Sequence, residues 1–132
     1  MKESITGMSS SRPYLMRAIY EWIVDNNLTP YLLVNASETG VQVPLEYVNN
    51  GKIILNIDPN AVQDLEMAGT EISFNARFSG IPTHVYLPIS AALAIYAREN
   101  GRGMVFNEDD DTPPEPTSDK EKSNAPNLRI VK

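Results

Sequence analysis

Between Asn107 and Ala125 the chain carries no Val, Ile, Leu, Met, Phe, Tyr or Trp. The same stretch holds seven acids (Glu108, Asp109, Asp110, Asp111, Glu115, Asp119, Glu121) and three prolines (Pro113, Pro114, Pro116). Such a segment cannot bury enough apolar surface to offset the entropy of ordering it. Its composition predicts a disordered acidic linker over 107–125, kept extended by proline stiffness and like-charge repulsion. Whatever folds must therefore lie before it. The first unit is 1–106, and the apolar periodicity inside it begins near Arg12.

Within that unit the period changes once. "RPYLMRAIYEWIVDN" predicts a first helix: Pro13 suits its first turn, and Leu15, Ile19, Trp22 and Ile23 recur at helical spacing with Tyr14 and Ala18 near that face. Pro30 disfavours helical geometry at Thr29 and closes it. Short β-rich runs follow. "YLLVNA" is one. "VQVPLEYV" and "KIILNI" flank Asn50-Gly51, a type I′ hairpin signal. "EISFNARF" and "THVYLPI" make a second pair joined by "SGIP", with a turn and a short strand expected in "PNAVQDLEMAG". "ISAALAIYAREN" predicts a second helix stopped at Asn100-Gly101, and "GMVF" a last strand. The expected class is α+β, mainly antiparallel β, with a strongly bent sheet or partial barrel.

Bulk properties exclude several functions. At 132 residues the chain suits one domain plus an appendage, and with no cysteine it can form neither disulfides nor thiolate metal sites. No apolar run approaches the roughly 20 residues that cross a bilayer, and "MKESITGMSSSRP" has no apolar block, so a cytoplasmic protein is expected. The net charge of −6 argues against general nucleic-acid or anionic-membrane binding.

A search for catalytic chemistry finds little. His84 is the single histidine, set in an alternating strand pattern where a side chain without catalytic duty is the plainer reading. "NGRGM" has glycines after a helix, the wrong end for cradling phosphate. "EDDD" lacks the spacing and glycine of a calcium loop. No hydrolase, zinc-protease or nucleotide-loop motif is present. No enzyme, cofactor or metal is expected.

Two features point to recognition. In "FNARFSGIP", Phe74, Ala76 and Phe78 share one strand face, and Asn75, Arg77 and Ser79 the other. A small residue between two aromatic ones leaves a notch, and Ser79 and Gly80 allow close backbone approach; ordinary core alternation is the competing reading. The second feature is the ending, "NLRIVK", where Leu128, Ile130 and Val131 stand with Arg129 and Lys132. It has the form of a short linear motif that adds to a partner's sheet or pocket, or of an edge strand folding back on its own domain; the long linker favours the partner.

Taken together, "RPYLMRAIYEWIVDNNLTPYLLV", "GVQVPLEYV", "GKIILNI", "EISFNARFSGIP", "AIYAREN" and the terminal "LRIVK" resemble, in order, the stringent starvation protein B (SspB) family. Its members are adaptors that deliver tagged substrates to the ClpXP protease. The resemblance implies a bent two-sheet, Sm-like fold and a homodimer with the first helix at the interface, placing Tyr14, Ala18 and Ile19 there. It implies a groove for the ssrA tag that tmRNA adds to stalled chains, formed by Val43, Leu45, Tyr47, Asn75, Ala76, Arg77, Phe78 and Ser79. Residues 126–132, through Leu128, Arg129, Ile130, Val131 and Lys132, would dock on the N-terminal domain of ClpX, whose zinc belongs to that partner. Two readings from other classes stand beside it: an Sm-like RNA-binding protein, and a structural subunit of a complex. Residues 1–106 carry seven basic and ten acidic side chains, which weakens the RNA reading.

Overall fold

The computed structural model describes residues 9–106. In order it contains α1 (Arg12–Asp25), β1 (Pro30–Asn35), β2 (Lys52–Asn56), β3 (Val62–Ala68), β4 (Glu71–Phe78), β5 (Ile81–Pro88), β6 (Ala92–Ala97) and β7 (Gly103–Val105). The strands form two antiparallel sheets, one ordered β2-β1-β6-β7 and the other β3-β4-β5. The barrel is thus open, as the α+β reading expected. The expected linker 107–125 and motif 126–132 lie outside the described residues.

Alternation builds the core. Leu32 and Val34 of β1, Ile53 and Leu55 of β2, Ile72 and Phe74 of β4, and Val85 and Leu87 of β5 all turn inward and are buried. Each such side chain contributes about 1.5–3 kcal/mol of burial. Met16 and Ile23 of α1 enter the same cluster, with Ile19 and Tyr20 half-buried against it. Leu15 and Trp22, expected on that stripe, turn outward instead with Tyr14 and Ala18. The helix is apolar on nearly every side, so its period does not choose a face. Two arginines do. Arg12 donates to the carbonyls of Ser90, just before β6, and of Ala92, its first residue, at 3.4 and 3.3 Å, and stands over the Phe106 ring. Arg17 donates to the Met67 carbonyl of β3 at 2.6 Å.

The helix ends before Pro30 acts on it. Asn27 takes a left-handed conformation (φ 62°), its N–H bonds the Val24 carbonyl, and the Leu28 N–H reaches the Ile23 carbonyl. This is a Schellman stop made with asparagine.

Two expectations are corrected. "ISAALAIYAREN" does not form a second helix: Ile89–Ala91 is one 3-10 turn and Ala92–Ala97 is β6, paired with β1 and β7. Its alanines suit a helix by propensity, but a strand between two others satisfies its backbone across the sheet, and burial overrides propensity. The register slips at Leu33/Val34, where Leu93 is the extra residue. "VQVPLEYV" is not a strand either. It makes a single bridge, Gln42 to Tyr86, and then a 3-10 turn at Leu45–Tyr47. Pro44 has no N–H with which to continue a ladder. The Asn50-Gly51 turn is nonetheless as expected, with φ of 55° and 77°, closed by the Asn49–Lys52 pair.

β7 packs unusually close to β6. A Cβ on Gly103 would lie 2.0 Å from the Ile95 carbonyl oxygen and 2.5 Å from the Tyr96 Cα, so only glycine fits.

Candidate functional site

The β4–β5 hairpin carries five of the eight residues expected in the groove, Asn75 to Ser79. Ser79 and Gly80 form its two-residue turn with φ of 54° and 81°, closing the Phe78–Ile81 pair. Positive φ at both positions matches the strand twist, which is why a small pair sits there. Beyond the turn the strands pair without interruption back to Glu71–Pro88. Along β4, Phe74, Ala76 and Phe78 point inward, with Phe74 buried and the other two half-buried. Ser73, Asn75 and Arg77 take the outer face.

The irregular segment after Gly40 closes on the hairpin tip. Gln42 exchanges two main-chain bonds with Tyr86, Val43 packs against the core, and Pro44 diverts the chain into the 3-10 turn. That turn places Tyr47 beside Phe78, with ring centroids 5.5 Å apart, and its hydroxyl meets the Ser79 hydroxyl. Leu45 is 75% exposed and Ile81, across the tip, 62%. Tyr47, Phe78 and Ser79 thus meet at the hairpin tip, with Leu45 in the same 3-10 turn as Tyr47, whereas Val43 lies next to the Gln42–Tyr86 bridge and Ala76 two residues back along β4.

Asn75 and Arg77 belong to the other face. The Asn75 amide donates to the Asp64 carboxylate at 3.2 Å, which fixes its orientation, because a carboxylate only accepts. Its carbonyl oxygen then faces His84 Nδ1 at 2.9 Å, so that nitrogen carries the proton. Arg77 donates to the Gly80 carbonyl at 3.2 Å and braces the turn. Burial, and then the nearby Glu71 carboxylate, push the Tyr86 hydroxyl up from its ordinary value.

Among the expected interface residues, Tyr14 is 59% exposed and Ala18 is exposed beside it, whereas Ile19 is half-buried against the core. Sequence reasoning missed Trp22 as the next residue of that outer stripe, 46% exposed, because its spacing also fits the inner one. It also missed Ile81, an apolar residue directly after a turn, which is the signal that could have found it. A separate depression at the end of α1 is lined by Trp22, Ile23, Asn26, Leu28, Ala97, Asn100 and Arg102, none of them expected in the groove. Among the described residues no group of His, Asp and Glu is placed to hold a metal ion, and no helix is long and apolar enough to cross a membrane.

A family model described as stringent starvation protein B matches residues 10–130. The stringent starvation protein B homolog of Haemophilus influenzae is 54% identical over 98 residues, which is 74% of this chain and 65% of that protein. The matched stretch is thus just under two thirds of that relative's length.

Proposed function

Because the chain belongs to the stringent starvation protein B family, we propose that it is a non-enzymatic, cytoplasmic adaptor. It binds ssrA-tagged polypeptides on the folded body and brings them to ClpXP through residues 126–132. The observation that carries this reading is the exposed apolar cluster of Leu45, Tyr47 and Ile81 around a hairpin tip made of Ser79 and Gly80. Apolar walls beside small residues suit an extended peptide, whose backbone can approach closely.

The outer stripe of α1 supports a homodimer. Tyr14, Leu15, Ala18 and Trp22 form an exposed apolar row on a helix whose opposite side is already in the core. A dimer carries two terminal motifs, which adds avidity. A coil of about 20 residues between body and motif has an r.m.s. reach of roughly 25 Å. Tethering then makes substrate engagement intramolecular at about millimolar effective concentration, so a weak docking motif suffices.

Deleting residues 107–132 tests the two-part design. Tag affinity, read by fluorescence anisotropy, stays within about twofold, while accelerated ClpXP degradation is lost. Loss of tag binding in the truncated protein would show that the two parts are not separate. Leu128→Ala with Ile130→Ala should likewise abolish binding to the ClpX N-terminal domain without touching tag affinity.

A further inference from the structure

Five arginines lie among the described residues, and four of them are tied down. Arg12, Arg17 and Arg77 donate to main-chain carbonyls, and Arg98 pairs with Glu99. Among the described residues the fifth, Arg102, has no side-chain hydrogen bond, ion pair or ring contact. It forms part of the wall of the depression at the end of α1. Its backbone is held all the same. The Arg102 N–H donates to Asn100 Oδ1 and its C=O accepts the Ala97 N–H, both at 2.9 Å. The guanidinium is thus a free cation on a fixed stretch of chain.

The other polar groups of the depression are mostly donors. Asn100 spends its carbonyl oxygen on Arg102, which leaves its amide N–H groups over. Asn26 gives one amide hydrogen to the Trp22 carbonyl at 2.8 Å and keeps the second. A helix end ordinarily presents unsatisfied carbonyls that repel an anion. Here they are spent: the carbonyls of Trp22, Ile23 and Val24 accept from the main-chain N–H groups of Asn26, Leu28 and Asn27. The Glu99 carboxylate beside Asn100 is likewise taken, by Thr29 and Arg98. The remaining wall is apolar, with Ile23 and Ala97 buried, Leu28 half-buried and Trp22 exposed. The depression encloses about 190 Å³. A cavity of roughly 150 Å³ admits a benzene ring, and sites for larger ligands start at roughly 300 Å³.

We propose that this depression binds a small monocarboxylate with a short branched or cyclic hydrocarbon body. The carboxylate would pair with the Arg102 guanidinium, whose planar fork matches it, and with the Asn100 amide. The hydrocarbon would cover Trp22, Leu28 and Ala97, surface that water now wets. The site stands apart from the hairpin tip and does not rest on the adaptor reading. Of its lining residues only Trp22 belongs to the outer stripe of α1.

The test titrates the full-length, nitrogen-15-labelled protein with 3-methylbutanoate and follows its amide spectrum. Saturable shifts should appear at residues 22–28 and 97–102 and at the Trp22 indole, with a dissociation constant in the roughly millimolar range of so small a ligand. The neutral 3-methylbutanamide keeps the body and loses the charge; acetate keeps the charge and loses the body. Each should bind about tenfold more weakly or worse. Arg102→Gln should weaken 3-methylbutanoate by about tenfold or more, the loss expected for a charged hydrogen bond, and Arg102→Lys by less. Arg102 is exposed, so both variants should melt with the native protein; if they do not, the three probes on the native protein decide. Shifts that never saturate or scatter over the surface overturn the site. So does equal binding of the neutral amide, or unchanged affinity in a folded Arg102→Gln.

Discussion

Thr29 gives both its main-chain N–H and its hydroxyl to one carboxylate, that of Glu99, at 2.9 and 2.7 Å. The pair ties the α1–β1 connection to the β6–β7 turn, where the Arg98 N–H also bonds the Thr29 carbonyl at 2.8 Å. Two donors aimed at one ionised group hold the Glu99 carboxyl down at about 2 from an ordinary 4.5, with Arg98 adding a smaller pull at 3.1 Å.

The pH dependence follows in sign. A lowered carboxyl contributes stability above its unfolded value and loses it as pH falls through the folded one. The advantage of the native protein over Glu99→Gln should therefore be constant above about pH 5 and shrink between about 4.5 and 2. Carboxyl chemical shifts provide the direct check: Glu99 should still be ionised at pH 3, when ordinary glutamates are largely protonated.

Gly103→Ala should be costly although β7 is a short edge strand. The added methyl meets the Ile95 carbonyl and the Tyr96 backbone, neither of which is a flexible side-chain end. A loss of about 1–3 kcal/mol in urea denaturation is expected, as for overpacked sites. An unchanged midpoint would mean that β7 can move away freely.

Phe106→Ala should cost about 3 kcal/mol or more, the range for a buried aromatic side chain. Phe106 is 4% exposed and closes the core from the end of β7. A chain cut after Phe106 should melt with the full-length protein, and a chain cut after Arg102 well below it.

Tyr47→Ala should weaken tag binding about tenfold by removing one wall of the hairpin tip, with stability changing little because the ring is 41% exposed. Tyr47→Phe keeps the ring contact with Phe78 and loses only the hydroxyl contact with Ser79. It should lie between the native protein and the alanine variant in anisotropy titrations.

Ala18→Glu and Trp22→Glu should each separate the proposed dimer, shifting sedimentation towards a single chain. A charge there faces solvent in the monomer and meets apolar surface only if two helices pack. An unchanged sedimentation profile in both variants would remove α1 from the interface.

Much of this fold was legible in the residues, and the places where it was not have a common cause. The hairpin turns could be read because Asn50-Gly51 and Ser79-Gly80 meet a local demand for positive φ. The β4 alternation could be read because a half-buried strand repeats every second residue. β6 could not, since its alanines favour a helix in isolation and only two flanking strands make it extended. The face of α1 could not be read either, because a helix apolar on both sides has no single period; Arg12 and Arg17 settle it through contacts 50 or more residues away. At the candidate site the period of two already separated Ala76 and Phe78 from Asn75 and Arg77, as β4 has them, but it carried no sign of the 3-10 turn that sets Tyr47 against Phe78.

Arg12 and Phe106 have a mechanical consequence. In the proposed adaptor a pull on residues 126–132 would reach the described body at Phe106, next to β7, which is three residues long and pairs only with β6. The Phe106 ring is seated in the core beneath a guanidinium that is itself bonded to Ala92, the first residue of β6, and rooted in α1. Force applied at Phe106 would thereby be shared between α1 and β6 and would not fall on β7 alone.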